Sequence, residues 1–159
     1  MEDKKEKHRL HVTWVFFILY MVLLIYFLFF AEITGRTFSD REYHYNLVPL
    51  REIKRFLIYR ESLGWFAVTA NLFGNVVGFV PLGTILPMLM RKNRKFYSIV
   101  LLSFEFSLLV ETVQLISKVG SFDVDDLILN TLGGAIGYLI FWLVGCLRRK
   151  KNDKEKESL

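Results

Sequence analysis

Cysteine is nearly missing from this chain of 159 residues. Cys146 stands alone, so no intrachain disulfide can form, and the redox compartment leaves no mark on the sequence. Beside Arg148 and Arg149, at the end of an apolar run, it reads as a small packing residue. Histidine is scarce too: His8, His11 and His44 do not cluster with the acidic residues, and no recognised metal or nucleophile motif is present. The sequence therefore implies no cofactor and no metal. Two similar halves are also lacking, which argues against a repeat-built transporter. Finally, no length remains for a separate soluble catalytic domain once the apolar runs are set aside.

Those runs are what the chain has in abundance. Hydrophobic residues make up 53% of it and aromatics 16%, a mixture rarely seen in a soluble domain of this length. They fall into four blocks, 12–31, 65–90, 96–117 and 124–147. Each approaches or exceeds the about 20 residues of helix that cross a hydrocarbon core. The expected fold is an all-α membrane protein of four transmembrane helices forming one domain. It is flanked by a basic N-terminus (1–11) and a charged tail (148–159). The first block is longer than a secretory h-region and lacks a small-x-small cleavage site after it, so it reads as a retained anchor.

Basic clusters set the expected topology. Lys4, Lys5, Lys7 and Arg9 precede the first helix, Arg91–Lys95 joins the second to the third, and Arg148–Lys151 follows the fourth. Cytoplasmic loops carry the Lys/Arg excess, which puts both termini in the cytoplasm and loops 32–64 and 118–123 outside. The outer loop disagrees in part. It holds Arg36, Arg41, Arg51, Lys54, Arg55 and Arg60, mixed with Glu32, Asp40, Glu42, Glu52 and Glu61. The net charge of +5 comes largely from the tails, so it suggests anionic lipid headgroups as neighbours rather than nucleic acid. Within the outer loop, "PLREIKRFLIYR" predicts a short interfacial helix. Pro49 suits its first position, and Leu50, Ile53, Phe56 and Leu57 share one face.

The membrane helices carry polar stripes. The first has little but Tyr20 and Tyr26 and reads as peripheral. The second carries Asn71, Gly74, Asn75 and Gly78 on one face, with Gly74 and Gly78 a small-xxx-small pair that lets another helix approach. Pro81 leaves the Val77 carbonyl without its usual donor. The third carries Ser103, Ser107, Glu111, Gln114 and Lys118; the fourth carries Asp126, Asn130, Gly133, Gly134 and Gly137. In the expected topology all three stripes put their polar ends in the outer half of the membrane. That predicts a packed three-helix core with a polar pocket open to the outer surface. Glu105 lies nearer the midplane on another face, where a second internal hydrogen bond is its expected role.

The acids of "FDVDDLILN" have a capping account. Asp123 suits the N-cap of the fourth helix, Asp126 its N3 position in a carboxylate variant of the capping box, and Asp125 is favoured by the helix dipole. Capping leaves Glu111 and Asn130 unexplained. A carboxylate within the bilayer costs at least a few kcal/mol unless it meets a partner or a wet cavity, so Glu111 is a functional candidate. A structural hydrogen bond to Asn71, Asn75 or Asn130 is its bland alternative.

"NLVP" at 46–49, "NLFGNVVGFVPLG" at 71–83, "ETVQL" at 111–115 and "FDVDDLILNTLGGAIGY" at 122–138 together resemble the VanZ-like membrane proteins, in order and spacing. The resemblance implies a small bacterial cell-envelope protein of a family named for a teicoplanin-resistance accessory protein. Some relatives carry a basic residue just before the FD-x-DD motif; this chain has Gly120 and Ser121 there.

Two functional readings follow. In the first, a non-enzymatic envelope factor binds an envelope lipid, a lipid-linked wall precursor or a glycopeptide. Its candidate binding residues are Asn71, Asn75, Glu111, Gln114, Asp123, Asp125, Asp126 and Asn130, and basic residues of the outer loop can contact phosphates. In the second, an intramembrane enzyme acts on a lipid-linked phosphate or wall precursor: Glu111, Asp123, Asp125 and Asp126 serve as general acid and base, with Glu111, Asp123 and Asp126 the catalytic candidates, or hold a divalent metal, for which carboxylates are the right donors to magnesium or manganese. Membrane lipids are partners in either case. The two glycine faces leave the oligomeric state open.

Overall fold

Glycine decides how the apolar helices meet. The computed structural model describes residues 2–33, 43, 45–90 and 94–157. Expectations placed on Arg36, Asp40, Arg41, Glu42, His44, Arg91 and Lys92 lie outside the described residues. The elements run α1 (Glu2–Ile33), β1 (Tyr45–Asn46), α2 (Arg51–Ile58), α3 (Arg60–Leu63), α4 (Trp65–Leu89), α5 (Phe96–Ser117), β2 (Phe122–Asp123) and α6 (Val124–Glu157). The class is all-α, and α1, α4, α5 and α6 are each long and apolar enough to cross a membrane. The basic leader continues into α1, and the Lys/Glu-rich tail, built of good helix formers, continues α6.

The centre is α6 packed against α4 and α5. A Cβ on Gly83 of α4 would run into the backbone of Gly134, and one on Gly137 would meet the Val80 carbonyl and Gly83. A Cβ on Gly133 would strike the Val76 carbonyl, and one on Gly134 the Ser103 hydroxyl of α5. Backbone therefore touches backbone along this seam, which lipid-immersed helices need because burial from water drives nothing between them. The Thr84 hydroxyl spans the seam, donating at 3.0 Å to both Val80 and Gly137 carbonyls.

The seam differs from the expected small-residue pair. A Cβ on Gly74 would meet nothing within 4 Å, and one on Gly78 would make only ordinary contact with Leu24. The helix that faces them is α1, and it stands off. It is tied to α4 by the Tyr20 hydroxyl, which donates to the Gly78 carbonyl at 2.7 Å. Gln114 ties it to α5, its Nε2 donating to the Leu28 carbonyl at 2.8 Å. Leu24, Phe79 and Leu82 form the apolar contact between α1 and α4, with Phe106 of α5 tilted against Phe79. Most other α1 side chains are exposed, as expected of a helix at the bundle edge.

At the acidic end of the bundle a two-residue parallel bridge pairs Tyr45 with Phe122 and Asn46 with Asp123. It anchors the α2–α3 segment over the bundle. Ile53 and Phe56 of α2 are half-buried, while Arg51, Lys54 and Arg55 are exposed. Pro49 does not open α2 as expected. It lies in the turn before the helix, and Leu50 takes the N-cap position with a left-handed backbone (φ 64°).

Candidate functional site

A leucine at an N-cap offers no oxygen to the free N–H groups of its helix. Asp125, at the start of α6, supplies it from a distance. Its Oδ1 accepts from the Leu50 amide, and its Oδ2 from the amides of Glu52 (2.8 Å) and Ile53 (3.1 Å). The carboxylate is 1% exposed. One acid thus caps a helix that lies more than 70 residues away in sequence, and it offsets the positive end of that helix.

Asp123 caps its own helix. Its Oδ1 accepts from the Asp125 amide at 2.8 Å, the N-cap bond expected from the sequence, and from Asn46 Nδ2 at 3.1 Å. Asn46 in turn accepts from the Val48 amide at 3.1 Å. Burial pushes the Asp123 carboxyl above the ordinary aspartate value, against the two hydrogen bonds that pull it down. The other half of the expected capping box is made differently. Glu111 of α5, not Asp126, reaches the N-cap backbone: its Oε2 accepts from the Asp123 amide at 3.0 Å. Asp126 turns instead to Asn75 of α4, whose Nδ2 donates to it. The reason is positional. Glu111 projects from a neighbouring helix directly at the start of α6 and is 2% exposed, so the site was already filled.

That exchange leaves Asp126 facing a cavity of about 540 Å³ between α1, α4 and α5. Asn71, Asn75, Glu111, Gln114 and Asp126 line one part of it. Tyr20 and apolar side chains, among them Leu24, Phe27, Leu28, Val77 and Pro81, also line it, with Gly74 and Gly78 providing its width. The volume falls within the roughly 300–1,000 Å³ of small-molecule sites, and the mixture of apolar wall and a few convergent polar groups is typical of them. Asn71 is exposed to the cavity and makes no hydrogen bond among the described residues.

Of the eight sequence-derived binding candidates, five therefore share one cavity. Asp123, Asp125 and Asn130 stand outside its lining. Asp123 and Asp125 are backbone caps. Asn130 is fully buried between α5 and α6, donating to the Ser107 hydroxyl at 2.9 Å, with its Oδ1 unpartnered among the described residues. Glu105, expected to hold an internal hydrogen bond, is instead exposed on α5, without a hydrogen bond or ion pair among the described residues. Among the described residues no group of three or more His, Cys, Asp or Glu side chains is placed to hold a metal. The α1 wall of the cavity was missed from sequence. Tyr20, a hydroxyl on an otherwise apolar helix, was the signal that could have revealed it.

Comparison with known proteins agrees with the motifs. Residues 17–145 match the family described as VanZ/LLP1. The chain is also similar to "Protein VanZ" of Enterococcus faecium, 28% identical over 145 residues, covering 86% of this chain and 78% of that one. No solved structure matches. The match spans the glycine seam, both carboxylate caps and the whole polar part of the cavity, and the chain is a membrane protein of the VanZ/LLP1 family.

Proposed function

We propose that this protein is a non-enzymatic envelope factor that binds an amphiphilic ligand in the cavity between α1 and α4. The observation that carries the reading is the division of that cavity. Its carboxylates and amides come from the first half of α4, the last turns of α5 and the start of α6, and its apolar wall comes mainly from α1 and from Val77 and Pro81 further along α4. Such a site suits a molecule with an acyl or polyprenyl chain and a head rich in N–H and O–H donors. A lipid-linked wall precursor, an envelope lipid and an acylated glycopeptide such as teicoplanin share that chemistry. Arg51 and Lys54, exposed on α2 at the acidic end of the bundle, suit phosphates at the rim. The expected topology puts this end outside the cell, where those ligands are found. Two of the acids considered as proton carriers or phosphate-metal ligands, Asp123 and Asp125, are occupied by backbone amides, which favours binding over acid–base catalysis.

Susceptibility to teicoplanin tests this. A strain lacking the protein is complemented with wild type, Glu111→Gln or Asp126→Asn, and membrane levels are checked by blot. Each variant keeps one oxygen for the hydrogen bond seen here, so both are expected in the membrane at wild-type level. Both are expected to lose most of the protection. Full protection by both variants contradicts the reading. Parallel loss of protein and protection makes these side chains structural.

A further inference from the structure

At the opposite, basic end of the bundle lies a second cavity, of about 260 Å³. Three arginines from three different segments line it: Arg9 of α1, Arg94 just before α5, and Arg148 of α6. Among the described residues no acidic side chain lines it, and none pairs with any of the three guanidinium groups. Its remaining wall is largely apolar, including Leu10, Met88 and Phe141. One of the arginines is held in place through its backbone, because the Tyr138 hydroxyl of α6 donates to the Arg94 carbonyl at 2.8 Å. Tyr138 is itself set by edge contact with Phe96.

We propose that this cavity binds a phosphate group, with an anionic membrane lipid as its bearer. Guanidinium forks match phosphate oxygens in pairs, and three arginines lining one cavity give it a positive charge that a phosphate neutralises. The volume lies below that of drug-sized sites, which suits a headgroup whose chains remain outside against the apolar wall. Basic pockets between membrane helices recognise lipid headgroups in this way, whereas a scattered basic tail only attracts a charged surface. Because the three arginines sit on α1, just before α5 and on α6, a bound phosphate would also tie the peripheral first helix to the bundle.

The test uses the full chain in phosphatidylcholine nanodiscs, with phosphatidylglycerol or inorganic phosphate as the probe, read by native mass spectrometry. Arg9→Gln, Arg94→Gln and Arg148→Gln are each expected to weaken phosphatidylglycerol retention about five-fold, and the triple variant about a hundred-fold. Lys150→Gln with Lys154→Gln, which removes tail charge away from the cavity, is expected to change it far less. Retention of phosphatidylglycerol that inorganic phosphate does not displace identifies a lipid as the bearer. Binding of inorganic phosphate alone, lost in the triple variant, identifies a free anion in the same site. Equal retention by wild type and the triple variant overturns the proposal, as does an equal loss in the tail variant. The single variants keep the test decisive where the triple variant fails to fold, since each arginine is exposed.

Discussion

Asp125→Asn is expected to destabilise the protein nearly as much as Asp125→Ala, by about 3–4 kcal/mol. Asn usually replaces Asp well at a helix cap, because one oxygen suffices for one N–H. Here both carboxylate oxygens are used. Oδ1 takes the Leu50 amide, and Oδ2 takes those of Glu52 and Ile53. An asparagine must turn its NH2 toward one of these sets, so donor faces donor in a site that is 1% exposed. The unfavourable left-handed Leu50 would then lose the contact that holds it. Unfolding in micelles, together with hydrogen exchange at the amides of 50–53, reads the effect. Glu52→Ala serves as the reference. It removes a pair with Arg55 in which the arginine is more than half exposed, and is expected to cost no more than about 0.5 kcal/mol. A stable Asp125→Asn variant with protected amides would show that Asp125 is free for another role.

Gly83→Ala is expected to cost about 3 kcal/mol or more and to lower the yield of folded protein. One methyl group is a small change, but at this position it overlaps the backbone of Gly134, which cannot rotate away as a side chain can. The helices α4 and α6 must separate, and the Thr84 bond to the Gly137 carbonyl is stretched with them. Gly74→Ala on the same helix is the contrast. Its Cβ enters open space, so helix propensity is the main term and the variant is expected to be neutral or up to about 1 kcal/mol more stable. Thermal unfolding of the two variants side by side checks this. Similar losses in both would mean that the seam does not hold the bundle together.

Much of this architecture was legible in the sequence, and the reasons are physical. The apolar runs reveal the four long helices, because lipid demands continuous apolar helix. Helical spacing gathered Asn71, Asn75, Glu111, Gln114 and Asp126 into one level, since residues three and four apart share a face. Asp123 as an N-cap follows from its place before an apolar run. What sequence spacing does not carry is the partner across a loop. Asp125 looks like a dipole-favoured first-turn residue of α6, yet its oxygens serve α2. Glu111 takes the bond expected of Asp126 because α5 delivers it to the same amide. Spacing likewise locates Gly74 and Gly78 on a face without saying what lies opposite. They open a cavity, and Gly83 makes the close approach instead. Arg9, Arg94 and Arg148 read as three separate topogenic clusters, and only the packing of α1 and α6 about α4 brings them to one cavity.

Gly74→Leu tests most directly whether the cavity between α1, α4 and α5 is a binding site, because its Cβ enters open space and the side chain takes up part of the cavity while every carboxylate is kept. Purified wild type and Gly74→Leu are compared by native mass spectrometry with teicoplanin and with a lipid-linked wall precursor, and by thermal unfolding. An unchanged melting temperature and loss of the ligand that wild type retains are the expected result. A Gly74→Leu protein that binds as wild type does, or a wild type that binds neither, would contradict it.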